Sequence, residues 1–131
     1  MRYESMTTYE KVCKDQGKDP KKLPDYPESS PAEVKYHLSG FRLARVLVSI
    51  NKDEKGKEWK PKPTDLKRIL VFYIVKDDSK PSGFGLSLVG VAGDYSNTGV
   101  AARLTFRDVP RAEFAFKHYQ EDFENLILYK P

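Results

Sequence analysis

Cysteine is nearly missing from this chain of 131 residues, with Cys13 the single example. A lone thiol forms no internal disulfide and no metal cage by itself. Histidine is almost as scarce. His37 and His118 stand alone, far apart, with no zinc-ligand spacing around them. No apolar run is long enough to cross a membrane, and residues 1–7 lack the apolar core of a secretory signal. Gly83, Gly85 and Gly90 lack the dinucleotide spacing, and they open a strand rather than a helix. These absences argue against disulfide-stapled, zinc-binding, membrane-spanning and nucleotide-loop proteins. They leave the expectation of a cytoplasmic chain with no cofactor and no membrane partner.

What is present is aromatic and charged. Aromatics make up 12% of the residues and charged side chains 32%, with a net charge of +4. Acids are interleaved with the lysines and arginines almost everywhere, whereas a nucleic-acid footprint gathers basic residues on one face. The balance describes a solvated surface around an aromatic core. The length fits one domain, 1–131, large enough to bury about two-thirds of its unfolded surface. Residues 1–6 are expected to be a disordered tail.

The element signals follow in order. Thr7 with Glu10 three residues on forms a capping box, and Gly17 supplies a left-handed stop. Tyr9, Val12 and Cys13 form the stripe between them, so Cys13 reads as a buried thiol rather than a nucleophile. Pro20, Pro24 and Pro27 hold residues 18–29 out of a helix, and Leu23 and Tyr26 are placed to pin that loop. Ser30, Pro31 and Glu33 give the clearest helix start in the chain. Val34, Leu38, Phe41 and Val48 mark one stripe of this helix, and Tyr36, Leu43, Leu47 and Ile50 an adjacent one. Trp59 opens an extended connector that it anchors to the core, with a further short strand possible beside it.

Residues 68–75 are apolar on both faces and rich in β-branched and aromatic side chains, which predicts a central strand. A turn at 77–83, a strand at 84–92, a turn at 93–99 and a strand at 100–106 complete an antiparallel meander of about three or four strands. Asp108 caps the last helix, with Pro110 in its first turn. Ala112, Ala115, Phe116, Tyr119, Phe123, Leu126 and Ile127 follow helical spacing. The expected fold class is α+β, a small meander packed against two or three helices with a long C-terminal one.

Chemistry is harder to place. The acidic pairs Asp77-Asp78 and Glu121-Asp122 read as solvated side chains. The best candidate interaction surface combines Tyr95, Asn97, Arg103, Arg107 and Arg111, with Trp59 as a stacking aromatic. The competing reading, which the sequence favours, pairs these arginines with Asp94, Asp108 and Glu113.

Several short motifs carry a resemblance. They are Tyr9-Glu10-Lys11-Val12-Cys13, Phe41-Arg42-Leu43, Trp59-Lys60-Pro61, Gly83-Phe84-Gly85 and Gly93-Asp94-Tyr95. The last is Arg103-Leu104-Thr105-Phe106-Arg107 leading into Ala112-Glu113-Phe114-Ala115-Phe116. The chain resembles a family of small uncharacterised proteins of phages, prophages and mobile elements of gut bacteria. It departs from that pattern at 66–75, where members often carry a Tyr/Trp-rich segment. The resemblance implies a phage-related setting, in the host cytoplasm or the virion, and no catalytic role for any residue. The reading that follows is a non-enzymatic binding or assembly protein whose partner is a protein, itself or another. One rival is a nucleic-acid-binding accessory protein. The other is a small enzyme that gathers His37, His118 or an acid pair in one pocket.

Overall fold

Ser30 accepts from the Glu33 amide while the Glu33 carboxylate accepts from the Ser30 amide, and this reciprocal box starts the longest helix of the protein. The computed structural model describes residues 3–62, 64–80, 83–94 and 104–128. Its elements are a 3-10 turn at Tyr3–Ser5, α1 at Tyr9–Asp15, α2 at Pro31–Ile50, β1 at Lys67–Lys76, β2 at Phe84–Asp94 and α3 at Val109–Ile127. The class is α+β, with helices layered on one face of an antiparallel pair of strands.

One helix start differs from what the sequence suggests. The cap of α1 is Thr8 rather than Thr7, since Thr8 Oγ1 accepts from the Lys11 amide at 3.3 Å. Thr7 instead accepts from Lys11 Nζ at 2.9 Å. Gly17 ends this segment at φ +65°, as its permissive backbone allows. Asp108 caps α3 as expected, accepting from the Arg111 amide at 2.9 Å.

The segment 3–6 is no disordered tail. Met6 is buried, its carbonyl accepts from the Tyr119 hydroxyl at 2.6 Å, and Tyr3 meets Phe114 edge-on. Apolar area and one buried hydrogen bond overcome the entropy of ordering these residues.

The core lies between α2 and α3. Leu43, Val46, Leu47 and Ile50 of α2 pack with Ala112, Ala115, Tyr119 and Phe123 of α3, and Val12 and Phe106 close the cluster. Val48, expected in the core, is largely exposed, because the buried stripe of α2 passes instead through Ser39 and Ser49. Those serines are polar but satisfied. Ser49 donates to Asp15 at 2.6 Å, and Ser39 donates to Asp122 at 3.0 Å. Cys13 is buried, as its place on the α1 stripe suggests.

The strands form one hairpin. Among the described residues the sheet has two strands, and the expected third appears only as a bridge in which Phe106 and Arg68 exchange backbone hydrogen bonds at 2.9 Å. Residues 100–103 of that expected strand lie outside the described residues. Nor does the connector around Trp59 form a strand. In the turn, Asp77 accepts from the Ser79 amide at 3.0 Å, and Gly83 takes φ +76°. The register pairs Ile69 with Ala92, Val71 with Gly90, Tyr73 with Ser87 and Val75 with Gly85, with Val89 the extra residue of a bulge.

Alternation sends Leu70 and Phe72 to the inner face. Phe72 lies 5.2 Å from Phe116 and 6.0 Å from Phe123 between ring centroids. Lys80 pairs with Glu124 at 3.2 Å and Gln120 donates to the Leu86 carbonyl at 3.4 Å, so α3 holds the hairpin along its length.

Candidate functional site

Arg107 and Arg111 are both engaged with the end of α2. A helix C-terminus leaves carbonyls without amide partners, and basic side chains satisfy them well. Arg111 donates from Nε to the Ile50 carbonyl at 2.8 Å and from its terminal nitrogen to the Lys52 carbonyl at 3.1 Å. It also pairs with Asp108 and lies 4.6 Å over the Tyr3 ring. The Arg107 amide donates to Asn51 Oδ1 at 3.1 Å and its guanidinium to the Asn51 carbonyl at 3.3 Å. Asn51 is buried and donates in turn to the Thr105 carbonyl at 3.0 Å. Together these bonds tie the chain before α3 to the end of α2. For Arg111 the expected pairing with Asp108 holds. Tyr95, Asn97 and Arg103, the other members of the expected surface, lie outside the described residues, as does any pairing through the Asp94 side chain.

Trp59 lies elsewhere. It lines an apolar groove of about 840 Å³ with Tyr36, His37, Leu47, Pro61 and Leu126. Asn51 links the two places, since it borders the groove while holding Arg107. The volume falls in the range of small-molecule sites. Its chemistry is sparse. Glu58 is the one carboxylate among the described lining residues, and His37 is stacked on Tyr26 with centroids 4.8 Å apart. His118 packs on Phe114 at 4.4 Å, on another helix and away from the groove. The two histidines therefore do not meet. Among the described residues no group of three or more His, Cys, Asp and Glu is placed to hold a metal, and no helix is long and apolar enough to cross a membrane.

The acidic pair Glu121-Asp122 also needs correcting. Asp122 is not a solvated side chain. It faces α2, accepting from Ser39, with Arg42 at 3.6 Å. Burial raises its carboxyl above the usual carboxylate range, against the opposing pull of the Ser39 hydrogen bond and Arg42. Asp15 is the contrast. Burial raises it too, but hydrogen bonds from Ser49 and Lys52 more than reverse the effect and hold it low. Tyr119 is pushed up by its burial, with Asp122 adding to the effect. These perturbed groups sit in the helix interface and line neither pocket wall nor cleft, so they are structural.

The feature that sequence reasoning missed is the outer face of the hairpin. Val71 is 41% exposed, Tyr73 66%, Val75 38% and Val89 49%. No charged residue occurs in 69–75 or in 83–93. The apolar content of β1 on both faces reads as a central strand buried from both sides. In the structure the inner face is covered around Leu70, Phe72 and Leu86, while Ile74 and Phe84 near the turn stay exposed, and the outer face is left open. A signal for this existed in the sequence, because the chain offers too few helices to cover both faces of a sheet. No protein-family model, curated protein or solved structure matches the chain.

Proposed function

We propose that this protein is a non-enzymatic binding and assembly module of a phage- or prophage-related kind, acting in the cytoplasm or within the virion. The observation that carries the reading is the outer face of the hairpin, exposed and apolar at Val71, Tyr73, Val75 and Val89 in a chain whose charged fraction is 32%. Contiguous apolar surface of that sort marks a site of association with another protein. The resemblance of the short motifs supplies the phage setting. The engagement of Arg107 and Arg111 with the end of α2 weighs against the nucleic-acid alternative, since both guanidinium groups are already used.

The test is the size of the native chain in an extract of the cells that make it, read by gel filtration. The reading expects elution well above the 15.0 kDa of one chain, unchanged by nuclease and by raised salt. A Tyr73→Lys variant should move towards the size of one chain. Elution of the wild type at the size of one chain would contradict the reading. An assembly dissolved by nuclease, or by modest salt, would favour nucleic acid instead.

A further inference from the structure

We propose that the groove beside Trp59 binds a small amphipathic cation, a molecule with an elongated apolar body and an ammonium head. This site is separate from the outer hairpin face and does not depend on the assembly reading above.

The groove is built without a ligand. Its floor is one face of α2, where His37, Gly40, Ala44, Val48 and Asn51 follow one another at helical spacing. Residues 37–51 run for roughly 21 Å along the helix axis, so the site is long. One wall is the connector that carries Glu58, Trp59 and Pro61, and both ends of that connector are fixed. Before it, Asp53 accepts from the Lys55 and Lys57 amides at 2.9 Å, and Gly56 takes φ +79° in the same turn. Beyond it, the Lys62 amide donates to the Asp65 carboxylate at 2.7 Å. Lys67 is buried, and its ammonium donates to the Lys62 and Asp65 carbonyls at 3.2 and 3.4 Å. A buried ammonium needs such partners, and these hold the connector in one place. A preformed apolar groove of about 840 Å³ has the form of a small-molecule site.

The lining sets the chemistry of the ligand. Leu47, Val48, Pro61 and Leu126 make the groove apolar along its length. Asn51 has both ends of its amide engaged, with the Thr105 carbonyl and the Arg107 amide. Charge then decides the head group. The chain has 23 lysines and arginines against 19 acids, yet none of the described lining residues is a lysine or arginine, and Glu58 is the one acid among them. Among the described residues no cation pairs with Glu58. An anionic head would meet this carboxylate with no lysine or arginine of the lining to hold it. An ammonium head would meet the Glu58 carboxylate beside the Trp59 indole, and both attract a cation.

Trp59 is the only tryptophan of the chain, so its emission reports on the groove directly. The test titrates the purified full chain with decyltrimethylammonium and, separately, with decanoate, each below the concentration at which it forms micelles. The cation should shift Trp59 emission to the blue and saturate at a single site. Decanoate, of similar chain length and opposite charge, should bind at least about tenfold more weakly. Tetramethylammonium, the head without the body, should leave the emission unchanged. Glu58 and Ala44 are exposed, so substitutions there should leave the circular dichroism of the chain unaltered. Glu58→Gln should weaken the cation by about fivefold without weakening decanoate. Ala44→Phe, which fills the floor, should remove the saturable shift. Absence of a saturable shift with the cation would overturn the proposal. Decanoate binding as tightly as the cation, or Glu58→Gln binding the cation as the wild type does, would overturn it too, since the groove would then be merely apolar.

Discussion

The two faces of the hairpin are built from alternate residues of the same strands and end in opposite surroundings. On the inner face Phe72 lies against Phe116 and Phe123, and Leu86 is buried under α3. On the outer face Tyr73 and Val71, its immediate neighbours, stand in solvent. Composition does not separate them, for both faces are apolar. The difference is supply. Two long helices form one layer, and that layer covers the middle of one side of the sheet, leaving Ile74 near the turn exposed. Apolar side chains on the uncovered side contribute little to the stability of a single chain and remain available for association. The inner face therefore belongs to folding, and the outer face is the one we propose for binding.

Substitutions on the two sides should behave accordingly. Phe123→Ala, in the layer beneath the inner face, should show the largest effect, a loss of about 3–5 kcal/mol in urea unfolding. Arg111→Met removes the donors that serve the Ile50 and Lys52 carbonyls. It should cost about 2 kcal/mol by the same measurement, a loss in the helix layer with no change in association.

Asp122→Asn sharpens the comparison through pH. The folded carboxyl sits above its unfolded value. Its favourable contribution is therefore fully present at acid pH, below the unfolded value. It is lost as pH rises through the window between the unfolded value and the raised native one. Asparagine keeps an acceptor for Ser39 and does not ionise. The variant should match or exceed the wild type at neutral pH, and the wild type should gain on it as pH falls through that window, read from paired unfolding curves.

Tyr73→Lys should be the smallest effect on stability, within about 0.5 kcal/mol. A large loss of stability in Tyr73→Lys at low concentration would erase the distinction between the faces.

Much of this architecture was legible because its signals are local. Ser30, Pro31, Glu33, Asp108 and Pro110 mark helix starts by local signals, and the two hairpin strands fall within two residues of their expected bounds. What escaped depends on distant partners. Thr7 and Thr8 compete for one cap, and a short helix gives the sequence no means of choosing. Ser39 and Asp122 are 83 residues apart, so Asp122 read alone looks like a solvated side chain. The pairing of Arg111 with Asp108 is local and was legible, whereas its bonds to the Ile50 and Lys52 carbonyls needed the end of α2 beside it. The outer face was hidden for a similar reason. Which residues of β2 share it depends on the bulge at Val89, which fixes the register of β2 against β1.

The most direct test of the account is methyl-labelled NMR of the full chain, alone and in the assembly recovered from the extract. The account predicts that the methyl signals of Ile69, Val71 and Val75 differ between the two, while those of Leu70 and Leu86 stay in place. Signals that move instead on the inner face, with the outer face unchanged, would contradict it.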